Sequence, residues 1–397
     1  MPHFRSRHLT QVLERTLKFS PIVGLFGHRQ VGKTTLAEKL SKAYVTFDRS
    51  ITQIQAHDNP EAFIEEHCSQ PLTIDECQLV PELFPALKEW VREHRRPGQF
   101  LLTGSVRFSS RKLIRESLTG RIISWELLPM DLSEKNHTPL PNNIIRFLKS
   151  ETVGVSTNAA KYFSEAEYNR SFIQGGLPGI FAIRNESVRN QKFETQIEAL
   201  LERDLRLLIQ TSLDLKSLRN LLLVLSRQQG LPIEIQKISR ATQISPPTLK
   251  KLLSALQSMF MIRVIYTEGT ERKPIFFFED QGEASHLSAT EMDPLNKLTC
   301  FLFSNLRHQW FYRPEFPVEV FQFRNRGGAL VPIALRSRSS VLGFIPLLSD
   351  TPNRQAIGSA ISFLKTYINS KLLYVHLGSK NNVISASQRV IPLAHLV

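Results

Sequence analysis

The chain has 397 residues, 42% hydrophobic and 22% charged, a globular composition too long for one ordinary core, so two or three domains are expected. Cys68, Cys77 and Cys300, odd in number and without CxxC spacing, argue against a disulfide framework or a zinc site. With no signal-type leader and no apolar run of bilayer length, the expected location is cytoplasmic, away from any membrane. The net charge of +14 is uneven: residues 1–135 hold 19 basic and 16 acidic side chains, residues 136–397 hold 31 and 20. That basic half points either to an anionic partner, nucleic acid or an acidic protein, or to nothing more than a soluble basic surface.

In chain order, the first element is an apolar run, Ile22 to Phe26, that reads as a buried strand. It is followed by Gly27-His28-Arg29-Gln30-Val31-Gly32-Lys33-Thr34-Thr35 and then a helix expected from Thr34 to Ala43. GxxxxGKT between a strand and a helix is a phosphate loop. Its glycines permit a tight turn whose N–H groups face phosphate oxygens, and the helix N-terminus adds partial positive charge. Lys33 is placed to reach the terminal phosphates and the Thr34 hydroxyl to ligate Mg²⁺. ATP and Mg²⁺ are the expected ligands.

A short strand ending in Asp75-Glu76 follows within Gln70–Gln78. Asp75 is expected in the Mg²⁺ shell beyond Thr34, and Glu76 as the base that orients and deprotonates water. The bland alternative is a pair that only caps the next helix. A further buried strand, Gln99 to Ser105, brings Thr103 or Ser105 toward the γ-phosphate or the attacking water, because ligands lie beyond the carboxyl ends of parallel strands. Ser117-Leu-Thr-Gly-Arg121 then leads into a strand over Ile122–Glu126. Arg121 is either an arginine finger, in its own or a neighbour's site, or a surface ion pair.

These motifs, with Pro81–Lys88 between the second and third and Leu128-Pro129 at the end, resemble prokaryotic AAA-type ATPases that carry a C-terminal domain of unknown function, DUF 4143. His28 stands where that family usually has proline. The resemblance implies an α/β fold. A P-loop ATPase domain with a parallel sheet would occupy residues 1–135, a helical and winged-helix region 136–290, and a restriction-endonuclease-like α/β domain 291–397.

Residues 136–160 are polar with few periodic apolar positions, so a connector is expected near Asn136–Asn143. Gly175-Gly176-Leu-Pro178 reads as a tight turn between helices. From Ile233 to Ile265 the pattern is helix, turn at Ile244–Pro247, helix over Thr248–Met259, then a strand. Thr248, Lys250 and Lys251 lie off the leucine face; they either contact DNA or belong to a winged helix used only for packing.

In the last segment the resemblance implies a metal held by a helix glutamate, a strand aspartate and a Glu-x-Lys pair. Here those positions read Thr299, Phe321 or Gln322, and Ala334-Leu-Arg336, and Asp350 is the sole acid after Glu319. Mg²⁺ requires hard oxygen ligands, so nuclease activity is not expected. Arg324, Arg326, Arg336 and Arg338 flank a hairpin turn at Gly327-Gly328, and a shared basic surface there would suit a phosphate backbone. The expectation is a Mg²⁺-dependent ATPase whose nucleotide state is coupled to DNA or a protein partner. The alternative is a nucleotide-gated regulatory module with little or no hydrolysis. Arg121 makes an oligomer relevant, since it would complete a neighbour's site.

Overall fold

The computed structural model describes residues 5–107, 118–154, 164–270, 272–288 and 292–397. The start of the Ser117–Arg121 motif lies outside the described residues. Two compact units are present: Met1–Pro129 with Leu177–Gly179 and Ser254–Met261, and the remainder, Met130–Gly176, Ile180–Leu253 and Ile262–Val397.

The first unit is built on a parallel sheet of five strands: β1 (Ile22–Gly27), β2 (Ala43–Thr46), β3 (Leu72–Asp75), β4 (Phe100–Gly104) and β5 (Ile122–Leu127). Their order is β2-β3-β4-β1-β5, so β4 separates the strand that feeds the phosphate loop from the strand that carries Asp75. β1, β3 and β4 are buried along their whole length, as expected of parallel strands covered on both faces. Ile22, Ile74, Phe84 and Phe100 form the core with Phe260, which enters from the 254–261 segment. The helix after the phosphate loop runs Lys33–Leu40 and stops short of Ala43, because Ala43–Thr46 is instead paired along β3 as β2.

The second unit holds an eight-stranded sheet of order β12-β13-β11-β10-β9-β8-β6-β7. Its strands are β6 (Ile262–Gly269), β7 (Ile275–Phe278), β8 (Glu319–Arg324), β9 (Leu330–Arg336), β10 (Val341–Pro346), β11 (Ser370–His376), β12 (Asn382–Ser385) and β13 (Gln388–Pro392). β6 pairs parallel with β8, so a strand from the middle of the chain is hydrogen-bonded into the same sheet as the last strands. β8, β9 and β10 form an antiparallel meander; the helix Arg354–Thr366 then crosses to β11, parallel to β10.

Residues 136–142, read as a connector, hold no helix or strand, and a helix then spans Asn143–Lys149 and buries Ile144, Ile145, Phe147 and Leu148. These apolar residues fall at i, i+1, i+3 and i+4, the spacing of one helix face, over only two turns. Helices Ile235–Thr242 and Pro246–Ser258 are joined by a turn with Gln243 at φ 58°, and the second starts two residues earlier than expected, with Pro246 in its first turn. Leu249, Leu252, Leu253 and Leu256 are buried while Lys250 and Lys251 are exposed. The Gly175-Gly176 turn is held by Asp280, whose carboxylate accepts Gly176 N–H at 2.5 Å and Glu283 N–H at 3.0 Å. Burial, with Glu283 nearby, raises the Asp280 carboxyl above the ordinary aspartate range.

Candidate nucleotide-binding site

The loop Gly27–Thr35 leaves β1 at the carboxyl edge of the sheet. Gly32, at φ 97°, caps the following helix in the left-handed conformation that a residue with a Cβ rarely adopts. Lys33 is buried, and its ammonium donates to the carbonyls of Gly27 (3.1 Å) and His28 (3.0 Å), so the loop closes round its own lysine. His28 is also buried, with Nδ1 2.7 Å from the Arg29 carbonyl. Gln30, Thr34 and Thr35 face solvent, whereas Val31 is in the core. From behind, Arg7 donates to the carbonyls of Val31 (2.6 Å) and Leu128, tying loop to sheet.

Asp75 ends β3 and is 3% exposed. Its Oδ2 accepts hydrogen bonds from Thr34 (2.9 Å) and Tyr44 (2.6 Å), and its Oδ1 accepts one from Thr103. Three hydroxyl donors compensate the burial of this carboxylate. Burial and the Asp75 carboxylate hold the Tyr44 phenol well above its usual range.

Glu76 adopts φ 54°, ψ 40°, a left-handed backbone rare for a residue other than glycine. Its carboxylate accepts from Gln78 Nε2 and, at 3.4 Å, from Ser105 Oγ; Gln78 Nε2 also donates to Ser105 at 3.2 Å. Lys33, Thr34, Asp75, Glu76, Thr103 and Ser105 therefore converge on one edge of the sheet.

Arg121 does not join them. It precedes β5 at the end where Ile122 pairs with Ile22, so the length of β1, about 17 Å at 3.3 Å per residue, separates it from the loop. Within one chain it cannot reach the γ-phosphate position. Arg107 does follow β4 at the correct edge, but it is paired with Glu126 and donates to the Gln257 carbonyl at 2.8 Å. Sequence alone assigns no role to Tyr44, Gln78 or Arg7. Tyr44 lies on the neighbouring strand, and nothing local signals its reach to Asp75.

In the second unit, Thr299 and Gln322 are buried, while Phe321, on the opposite face of β8, packs in the core. Arg336 pairs with Glu268 and Glu319. The arginine surface expected round the hairpin is divided: Arg324 pairs with Leu330 beside the turn, whereas Arg336 is opposite Glu319, the far end of both strands. One cluster that sequence could not show brings together Asp131, Glu134 and His308, with ligand atoms within 4.8 Å of one another. The two ring nitrogens of His308 face different carboxylates, at 3.7 and 3.9 Å, and Lys135 feels both acids. Charges of both signs are present, which reads as a buried ion network.

Residues 19–136 match the family AAA_14, an AAA domain, and residues 165–278 match a domain of unknown function, DUF8612. The latter takes the place of DUF 4143, the family named above from sequence motifs. The uncharacterized proteins Rv2008c of Mycobacterium tuberculosis and Mb2031c of Mycobacterium bovis are each 26% identical over 278 residues, 68% of this chain and 56% of theirs. The chain thus spans about half the length of these curated relatives. Among solved structures, the Walker-type ATPase PABY2304 of Pyrococcus abyssi is 16% identical over 70% of this chain and 94% of that one, with a TM-score of 0.38. The STAND protein PH0952 of Pyrococcus horikoshii is 14% identical over 77% and 45%, with a TM-score of 0.28. Scores of this size support no argument. The match of residues 19–136 to that AAA domain agrees with the loop, the strand order and the acidic strand end seen in the first unit.

Proposed function

We propose that the chain binds Mg²⁺–ATP at the Gly27–Thr35 loop and hydrolyses it, coupling nucleotide state to its grip on DNA or a protein partner. The observation that carries this reading is the 2.9 Å contact between the Thr34 hydroxyl and Asp75, two hard oxygen ligands at the end of a loop that closes round Lys33. That donor set fits Mg²⁺. Bound there, the ion would neutralise charge on the β- and γ-phosphates. Lys33 would exchange its two carbonyl acceptors for phosphate oxygens. Glu76 would orient and deprotonate water, and Thr103 or Ser105 would report the γ-phosphate. Arg121 would act only in a neighbouring copy's site, which makes an oligomer part of the reading.

Functionally the chain divides at about residues 135 and 290. The exposed Lys250 and Lys251 support DNA contact by the helix-turn-helix; pairing of Arg336 with two acids weakens the case for the last strands. The thinning of acids supports loss of nuclease chemistry. No described helix is long and apolar enough to cross a membrane.

A second reading, a nucleotide-gated regulator with little hydrolysis, is favoured by one observation: Glu76 is already engaged by Gln78 and Ser105. Steady-state Mg²⁺-dependent ATP turnover with and without double-stranded DNA, beside Lys33→Ala and Glu76→Gln, separates the two. Turnover abolished by both substitutions supports the ATPase, and stimulation by DNA supports the coupling. Tight ATP binding without turnover under either condition would establish the regulator instead.

A further inference from the structure

The second unit contains a cavity of about 380 Å³ between the first turns of helices Pro294–Leu306 and Arg354–Thr366 and the strands β8, β9 and β10. That volume lies in the range of small-molecule sites. Its floor includes three polar side chains, Thr299, Gln322 and Ser359, that are 4%, 1% and 3% exposed.

Two of these have hydrogen-bonding capacity left over. Gln322 Oε1 is 3.5 Å from the Thr267 hydroxyl, and its amide nitrogen donates to nothing among the described residues. The Ser359 hydroxyl accepts Leu330 N–H at 3.1 Å and donates to none of them. Thr299 Oγ1 donates back to the Leu295 carbonyl at 2.9 Å. The Gln322 amide and the Ser359 hydroxyl can therefore each donate to a ligand in the cavity.

The remaining lining narrows the ligand's chemistry. Leu295, Leu330, Pro332 and Ile345 supply apolar walls. Asn353 and Gln355, both exposed, add amides at the rim. Among the described residues, no lysine, arginine or histidine lines the cavity, and the one acid lining it, Asp293, already caps the first helix through Asn296 N–H at 2.9 Å. A phosphate or carboxylate would find no counter-charge among them, and a metal ion would find too few carboxylates. Side-chain amides present a donor and an acceptor side by side, the pattern that matches the edge of a nucleobase.

We propose that this cavity binds an uncharged heterocycle of the nucleobase or nucleoside class, with the ring between the aliphatic walls and its polar edge on Gln322 and Ser359. The site is independent of the ATP reading.

The test uses the full chain saturated with Mg²⁺ and a non-hydrolysable ATP analogue, so that the phosphate-loop site is filled. Adenosine, guanosine, cytidine and uridine are titrated by calorimetry, with ribose and inorganic phosphate as controls. At least one nucleoside is expected to bind with a Kd below about 1 mM. Gln322→Leu and Ser359→Ala should each weaken it at least about tenfold while ATP-analogue binding stays unchanged and each variant still unfolds cooperatively. Should Gln322→Leu fail to fold, Ser359→Ala carries the test. Absence of binding by all four nucleosides, or equal binding by wild type and a folded variant, would overturn the proposal.

Discussion

Replacing Gly175 by alanine should destabilise the second unit severely, for reasons that can be separated by two control glycines. Gly175 adopts φ 63°, ψ −161°, and a Cβ added there would lie 2.2 Å from Asp280 Oδ1 and 2.8 Å from its Cγ. The backbone contributes about 1–3 kcal/mol of strain. Forced displacement of a packed neighbour adds about 1–3 kcal/mol. Loss of the Gly176 N–H bond to the carboxylate adds about 1.5–3 kcal/mol. Together these reach roughly 5 kcal/mol, a third or more of a typical folding free energy. Gly328 has φ 84° but its Cβ would meet nothing within 4 Å, so Gly328→Ala isolates the backbone term, about 1–2 kcal/mol. Gly358, inside the helix Arg354–Thr366 with open space around it, should be stabilised by alanine by about 0.5–1 kcal/mol. Urea unfolding can be read through Trp310, which belongs to the second unit, after Trp90→Phe and Trp125→Phe remove the other two tryptophans. If Gly175→Ala and Gly328→Ala fall within 1 kcal/mol of each other, the Asp280 contact is not what fixes this turn.

Asp280 holds its proton to higher pH when folded than when unfolded, so its stabilising contribution is complete below the ordinary aspartate range and lost as pH rises through the folded pKa. Urea midpoints for wild type should therefore fall from about pH 4 upward relative to Asp280→Asn, and parallel profiles would refute the assignment. Tyr44→Phe removes one donor from the buried Asp75 carboxylate; the first unit should lose about 1–2 kcal/mol, less than a fully buried charged bond because Tyr44 is half-exposed. No change in unfolding free energy would mean that Thr34 and Thr103 suffice. Arg7→Met releases the Val31 and Leu128 carbonyls and should raise the Kd for a fluorescent ATP analogue about tenfold; an unchanged Kd would show that the loop is held without it.

The phosphate loop was legible because all its parts are contiguous: two glycines, a lysine and a threonine between a strand and a helix. Asp75 was legible as the polar end of an apolar run. Its hydroxyl partners Tyr44 and Thr103 come from other strands, and only the β2-β3-β4 adjacency brings them together. Arg121 shows what contiguity cannot decide, whether it serves its own site or a neighbour's. A motif tells that a strand follows, but the sheet register decides which edge the residue occupies. Similarly, alternation along β8 selects Gln322 over Phe321 for the cavity, a choice of face that a one-residue ambiguity in sequence could not make.

Phe260 belongs to the core of the first unit, yet it is made some 130 residues after that unit's main segment ends at Pro129. At bacterial or eukaryotic elongation rates of roughly 5–20 residues per second, the ribosome needs about 7–26 seconds to deliver it. Throughout that interval the nascent sheet has every strand but lacks a large aromatic from its interior. The phosphate loop therefore emerges long before the body that supports it can close, and a fragment cut at residue 136 would keep that gap permanently.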